Sequence, residues 1–354
     1  MIKNSPTPAA KFEPRFVGPD RPRTARKPMP PHAAPPAKLS RRGAGAATAA
    51  ASHKAPRIEL SRQTTVGEAF VAIGRSGLAH LRANEACVRS MRDKEGIHQL
   101  RVSVRRLRSA LALFRDLVSD RERRDIARRL KWLAGQFAEA RDWDVFHDEY
   151  LVPLRKSRPD DSALGTFVGE IEKLRRAADA RAADMVAHPR YAKTILEIET
   201  WWNGSGRRKP ANGLAPQKAV DFSHARIRKL HRRLCKLGKR TRELDDAGLH
   251  ELRIRTKKLR YAIDFLRSLF PNKAARAYRN ALIEIQDCLG ALNDIAVARQ
   301  LLAAAAKSAP TLDPAILAHA GAIVAEGNAA MRKTHLKRLR GAWRRFACVR
   351  PIWK

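Results

Sequence analysis

An internal repeat constrains the fold of this chain more than any other feature of its 354 residues. Displacing the sequence by 152 positions aligns residues 98–145 with residues 250–297 without a gap, and 12 of these 48 positions are identical. Shared basic composition alone would give fewer identities. Because the period is far longer than the roughly 20 to 50 residues of repeat arrays, we predict two copies of one unit in pseudo-two-fold relation, not a superhelix.

The spacing of apolar residues predicts that both copies are helical. From about residue 62 onward, apolar side chains recur three and four positions apart, and no segment shows sustained alternation. Spacings typical of helix starts occur at three pairs: Thr65 with Glu68, Ser119 with Glu122, and Asp313 with Pro314. We therefore expect an all-α fold.

The charge balance indicates a polyanionic partner. There are 72 Lys and Arg residues against 35 Asp and Glu, which gives a formal net charge of +37. Nucleic acid, an acidic membrane surface and polyphosphate are the candidate classes. With 44% hydrophobic residues the chain can form a core, yet no run approaches the roughly 18 apolar residues of a membrane span. The N-terminus lacks the apolar block of a secretory signal, so we expect a cytoplasmic protein.

Composition divides the chain into four parts. Residues 1–56 hold 11 of the 20 prolines and 11 Lys and Arg residues against two acids, which predicts a disordered basic tail. Its proline density argues against the amphipathic helix of an organellar transit peptide. Gly, Pro and Asn cluster over residues 203–213, which predicts a break between the halves. We assign a first bundle to residues 62–205, a linker to 206–218 and a second bundle to 219–354.

One helix in each copy has separate apolar and basic faces. At about 100° per residue, Leu100, Val104, Leu107, Leu111 and Phe114 form an apolar stripe, which residues 252, 259, 263 and 266 repeat. The basic stripes lie roughly 120° away and consist of His98, Arg101, Arg105 and Arg108 in the first copy and His250, Arg253, Lys257 and Arg260 in the second. A third basic stripe runs along Arg226, Lys229, Arg233, Lys236 and Arg240.

The basic stripes have two interpretations. An exposed basic face can simply keep a protein soluble. However, no acid occurs between Gln99 and Arg115, and like charges stacked on one helix face oppose folding unless an anion neutralises them. Because the pattern recurs in both halves, we favour a phosphate-binding site. We expect His98 and His250 to contact phosphate and not to carry out chemistry.

Catalytic signatures are missing from the sequence. It contains no phosphate-binding glycine loop, no zinc-protease motif, no nucleophile elbow and no carboxylate cluster suited to two metal ions. Asp142 and Asp294 recur at matching positions, where we expect them to orient arginines or cap helices. The four cysteines form no C-x-x-C pair, so we expect reduced, buried thiols and no metal or other cofactor. Histidine phosphotransfer would not require the basic stripes or their duplication.

The paired motifs resemble those of the CHAD family, the conserved histidine α-helical domain. The similar segments are His98-x-x-Arg101-Val-x-x-Arg105-Arg106-Leu-Arg108 and His250-x-x-Arg253-Ile-x-x-Lys257-Lys258-Leu-Arg260. The resemblance covers about residues 62–354. It implies two antiparallel four-helix bundles around a basic central channel that binds inorganic polyphosphate, often at polyphosphate granules. It also adds Arg106 and Lys258 to the candidate ligands. The E-x-E-x-K motif of triphosphate-hydrolysing relatives does not occur in this chain.

Nucleic acid is the alternative ligand. Single-strand binders usually stack bases on aromatic side chains, yet aromatics make up only 6% of this chain and none lies between His98 and Arg108. A basic channel suits a thin, base-free chain better than duplex DNA. The basic tail can still bind nucleic acid weakly. We therefore expect non-catalytic binding of polyphosphate.

Overall fold

A computed structural model describes residues 51–91, 93–205, 213–309 and 312–353 of the chain. In these ranges regular structure is helical, apart from an isolated antiparallel bridge between Thr65 and Lys218. The helices are α1 (Val66–Ser90), α2 (Glu95–Leu113), α3 (Asp120–Gln136), α4 (Ala138–Val145), α5 (Val152–Ser157), α6 (Ser162–Ala187), α7 (Pro189–Ser205), α8 (Ala219–Gly238), α9 (Asp246–Leu266), α10 (Asn272–Ser308) and α11 (Pro314–Ala347). The predicted all-α class is therefore confirmed.

Helix starts follow the capping chemistry that the sequence indicates. Thr65 and Glu68 form a complete capping box, in which each side chain accepts a hydrogen bond from the other's backbone N–H at 3.2 and 2.8 Å. Asp313 accepts a hydrogen bond from the backbone of Ala315 at 2.7 Å, immediately before Pro314 begins α11. At α3, Ser119 caps the helix, but its hydroxyl and not its backbone N–H donates to the Glu122 carboxylate. Only half of that box forms.

The elements recur with the 152-residue displacement seen in the sequence. The short 3₁₀ turns at Arg115–Leu117 and Arg267–Leu269 match, as do the starts of α3 and α10 and those of α6 and α11. The two halves differ in one element. The single helix α10 corresponds in the first half to several shorter pieces, namely α3, α4, a π-helical turn over Phe146–Leu151, and α5. Pro153 cannot donate to the preceding turn and crowds its carbonyl, which favours the wider turn at this position.

A single hydrophobic core runs through both halves, from Ile58 to Ile352. Helix α2 packs against α1, α3 and α9, and α6 packs against α11. The apolar stripes predicted on α2 and α9 are confirmed, because all of their residues are buried. Helix α10 has the length and composition of a membrane span, a test that core helices of soluble proteins also pass, and it packs along α9 and α11.

The segment that precedes α1 packs against the helices. Ile58 and Leu60 are buried, and the backbone N–H of Leu60 donates to Ser268 Oγ at 2.9 Å. Within the predicted disordered tail, the backbone of His53 exchanges hydrogen bonds of 2.9 and 3.0 Å with the Asn84 side chain. The buried side chain of Asn84 therefore holds the backbone at His53, within the part of the tail that the structure describes. Residues 1–50 and the linker positions 206–212 lie outside the described residues.

The four cysteines are free, as expected, but they are not uniformly buried. Cys87 and Cys288 lie in the interior, Cys235 is half-buried and Cys348 is exposed. Cys348 directly follows α11, where the chain reaches the surface. The prediction of buried thiols is therefore correct for only two of them.

Candidate functional site

Helices α2 and α9 pack against each other where their basic stripes meet. The side chain of Arg105 on α2 reaches α9, where its Nε donates a hydrogen bond to the Tyr261 hydroxyl at 2.6 Å. The buried stripes of both helices fix this contact, because each helix faces the core with its apolar side. Tyr261 itself is buried. The sequence did not single it out, since only the fold places it beside Arg105.

Four cations meet at this contact: Arg101, Arg105, Arg253 and Lys257, which we call the central cluster. Burial lowers the pKa of Lys257 to about 7, and the neighbouring charges of Arg253 and Arg105 contribute to this shift. Burial also lowers the pKa of Arg253 and the pKa of Arg101. The positive charge of Arg105 lowers the pKa of Arg253 further. The central cluster is therefore a partly desolvated site at which positive charges from both halves repel one another.

Two acids offset part of this charge. The Asp142 carboxylate lies 4.0 Å from the Arg101 guanidinium, and Asn293 donates a hydrogen bond to Asp294 at 3.3 Å. Burial raises the pKa of both aspartates, and the charge of Asp294 raises that of Asp142 further. Asp142 and Asp294 lie inside α4 and α10, so neither caps a helix. Asp142 instead pairs with Arg101, one of the two roles expected for it.

The two motif histidines occupy different surroundings. His98 is half-buried, and burial together with the nearby Arg141 lowers its pKa to about 4. It is therefore neutral at physiological pH and can offer a single ring N–H to a ligand. His250 is exposed and lines a cavity of about 70 Å³ with Arg253, Asn293 and other residues. The repeat is thus asymmetric at this position.

Other candidate ligands are already engaged within the protein. Arg106 is buried, and its guanidinium lies 5.2 Å from the centroid of the Phe265 ring, in the core and apart from the central cluster. Arg260 donates hydrogen bonds of 2.6 Å to both Gln286 and Asp264. Its guanidinium also lies over the Tyr261 ring at 4.3 Å. The helical angles that place Arg106 off the main stripe agree with this position.

The third stripe lines a separate cavity of about 220 Å³. Lys229, Arg233 and Lys258 lie on its wall, and all three side chains are exposed. Arg226 also lines it, but its Nε donates to the Leu113 carbonyl at 2.9 Å and its Nη1 lies 3.0 Å from Asp116. Arg108, also exposed, lines a further cavity between α2 and α3. The structure therefore distributes the thirteen predicted ligands over several places.

Sequence reasoning missed two cations of these sites. Arg141 contributes to the electrostatics of His98, Asp142 and Asp294, and Arg123 lines two of the cavities. The repeat could not indicate Arg141, because Asn293 occupies the equivalent position in the second half. In the described part of the chain, no group of three or more His, Cys, Asp or Glu residues is placed to hold a metal ion.

Comparisons with known proteins identify the fold and the family. The sequence model of the CHAD domain matches residues 72–303 of this chain. The crystal structure of the CHAD domain from the plant Ricinus communis is 32% identical, with a TM-score of 0.72, and the match covers 83% of this chain and 96% of that one. PptA from Streptomyces chartreusis shares the fold at 16% identity, with a TM-score of 0.61 over 79% of this chain and 100% of that chain. No curated protein matches.

The match to the CHAD domain extends over both copies of the repeat and includes α2, α9 and the central cluster between them. The chain therefore belongs to the CHAD family.

Proposed function

We propose that this protein binds inorganic polyphosphate, without catalysis, through the basic faces of α2 and α9. The observation that carries the proposal is the central cluster, in which burial and the charges of Arg105 and Arg253 bring the pKa of Lys257 close to neutrality. Such an arrangement costs folding free energy in the absence of a ligand. A chain of phosphates supplies closely spaced negative charges that remove the repulsion and accept charge-assisted hydrogen bonds.

The proposed architecture is two pseudo-symmetric antiparallel four-helix bundles around a basic channel. The first consists of α1, α2, α6 and the α3–α5 segment, and the second of α8, α9, α10 and α11. This grouping is supported by packing between neighbours within each set and by the recurrence of helix starts after 152 residues. The sets meet where α2 packs on α9, α4 on α10 and α6 on α11. In this arrangement the central cluster lines the channel.

Nucleic acid is the second candidate ligand, because charge alone does not discriminate between polyanions. The aromatic side chain in the central cluster, Tyr261, is 2% exposed, so its ring is covered and offers no face on which a base could stack. This burial favours a base-free chain. A cytoplasmic location with recruitment to polyphosphate granules follows as part of the proposal.

A competition experiment separates the two ligands. Labelled long-chain polyphosphate bound to the full-length protein is displaced with unlabelled polyphosphate, single-stranded RNA or duplex DNA at physiological salt. We expect polyphosphate to compete best. Equal or better competition by either nucleic acid would contradict the proposal.

Paired substitutions test the site itself. Replacing Arg101 and Arg105, or Arg253 and Lys257, with Ala should weaken polyphosphate binding about tenfold or more while helicity is retained, because two cations are removed from a partly desolvated site. The matched control is Lys337→Ala with Arg340→Ala, which removes two exposed charges from α11. An equal effect in the control would show that only net charge matters.

A further inference from the structure

A second basic surface lies along α3, beyond the central cluster. A cavity of about 470 Å³ opens between α2 and α3, and all of its charged lining residues are cationic. We call this set the α3 track: Arg108, Arg121, Arg123, Arg124, Arg128 and Lys131.

Four of these side chains form a regular row. Arg121, Arg124, Arg128 and Lys131 are exposed and follow one another at intervals of three, four and three residues. They therefore share one face of α3 over about 15 Å of helix length. Like charges at such spacings destabilise a helix, so the row opposes folding unless an anion covers it.

The charge of the α3 track is only partly neutralised. Arg123 pairs with Asp120 at 2.8 Å, and Arg128 pairs with Asp125 at 2.9 Å. Within the described part of the chain, Arg108, Arg121 and Lys131 form no ion pair. The negative charges of α3 lie in its first turns. There they also stabilise the helix, because they face the partial positive charge of its N-terminus.

The second half of the molecule repeats only part of the α3 track. Lys273, Arg276 and Arg260 stand at the positions equivalent to Arg121, Arg124 and Arg108, whereas Ala275, Asn280 and Ile283 replace Arg123, Arg128 and Lys131. Helix α10 nevertheless begins in the same register and packs against α9 and α11. The fold therefore does not need the charges of Arg123, Arg128 and Lys131, and the complete track occurs in the first half.

The α3 track is continuous with the other basic surfaces. Arg123 lines both the α3 cavity and the neighbouring cavity that Lys229, Arg233 and Lys258 border. On α2, Arg108 follows Arg105 of the central cluster by one helical turn. Among the described residues that line the two cavities, none is aromatic, so the lining offers no stacking platform for bases.

We infer that the α3 track is a second polyphosphate-binding segment, occupied by chains long enough to extend beyond the central cluster. This inference rests on the proposed function and adds a path and a chain-length preference to it. A long chain held at Arg105 reaches the track through Arg108. A short oligophosphate occupies the central cluster alone.

The test compares two polyphosphate probes on the full-length protein. The track variant carries Arg121→Gln, Arg124→Gln, Arg128→Gln and Lys131→Gln, and glutamine preserves helix propensity. The control variant carries Lys333→Gln, Lys337→Gln, Arg340→Gln and Arg344→Gln, which removes four exposed charges at similar spacing from α11. Dissociation constants for long-chain polyphosphate, tripolyphosphate and duplex DNA are measured at several salt concentrations, and helicity is followed by circular dichroism.

In the track variant we expect long-chain affinity to fall about tenfold or more, with a salt slope lower by roughly 0.7 for each phosphate that the track no longer neutralises. Tripolyphosphate affinity should not change, and the control variant should bind both probes like the wild type. An undiminished long-chain affinity, an equal reduction in the control, or a reduction confined to DNA would overturn the inference. If the fourfold variant unfolds, the pairs Arg121→Gln with Arg124→Gln and Arg128→Gln with Lys131→Gln are measured separately.

The same data distinguish failure of the track from failure of the proposed function. If the wild type binds tripolyphosphate and long chains and the track variant binds both equally well, only the track is overturned. If the wild type binds neither polyphosphate, the proposed function fails and the inference fails with it.

Discussion

Lys257 is a residue of the central cluster whose charge state responds to physiological pH. Its pKa lies near 7 because it is buried beside Arg253 and Arg105, with Asp294 acting in the opposite direction. The ammonium is charged below pH 7 and gives up its proton as pH rises through that value. A bound polyanion favours the charged form, so binding takes up a proton at higher pH. We predict that the dissociation constant for long-chain polyphosphate rises about tenfold between pH 6 and pH 8.

The Lys257→Arg variant provides the control for this pH dependence. Arginine stays protonated throughout the range, so the variant should lose the part of the pH dependence that Lys257 contributes. His98 does not contribute, because its pKa of about 4 keeps it neutral over the same interval. Isothermal titration in buffers of different ionisation enthalpy measures the proton uptake. A pH dependence that persists in Lys257→Arg would assign the titration to another group.

At the scale of secondary-structure elements, the packing of the Trp343 ring of α11 against α8 depends on a glycine. A Cβ added to Gly238 would lie 2.0 Å from the ring of Trp343, which is buried. We predict that Gly238→Ala lowers the free energy of unfolding by about 1–3 kcal/mol, because the ring must shift within a packed core. Urea denaturation measures the difference.

Gly290 in α10 is the matched control for this helix contact. A Cβ at that position meets nothing within 4 Å, so Gly290→Ala should raise the free energy of unfolding by about 0.5–1 kcal/mol through better helix propensity. Destabilisation of both variants by the same amount would mean that the contact with Trp343 is unimportant.

At the scale of the whole molecule, both halves should contribute to electrostatic binding. We predict that log affinity for polyphosphate falls linearly with log salt concentration, with a slope of roughly 0.7 per phosphate neutralised. The Arg101→Ala/Arg105→Ala and Arg253→Ala/Lys257→Ala proteins should each show a smaller slope, by roughly 0.7 per cation removed. Fluorescence titrations from low to high salt provide the measurement. An affinity independent of salt would contradict the electrostatic account.

The sequence determined the helical class, the duplication and the composition of the basic stripes. Periodicity is a local property, and each apolar stripe on α2 and α9 is buried as its spacing predicts. Capping at Thr65 and Asp313 is likewise local, because the side chain bonds to a backbone group within three residues. Such features need no knowledge of distant parts of the chain.

Only the tertiary structure decided which basic residues share a surface. Arg106 and Arg105 are neighbours in sequence, yet one packs over Phe265 in the core and the other reaches Tyr261 in the central cluster. The α3 track likewise combines α2 with α3, and no sequence spacing relates Arg108 to Lys131. Burial, and with it the lowered pKa of Lys257, depends on how helices from both halves pack, which is a property of long-range contacts and not of local pattern.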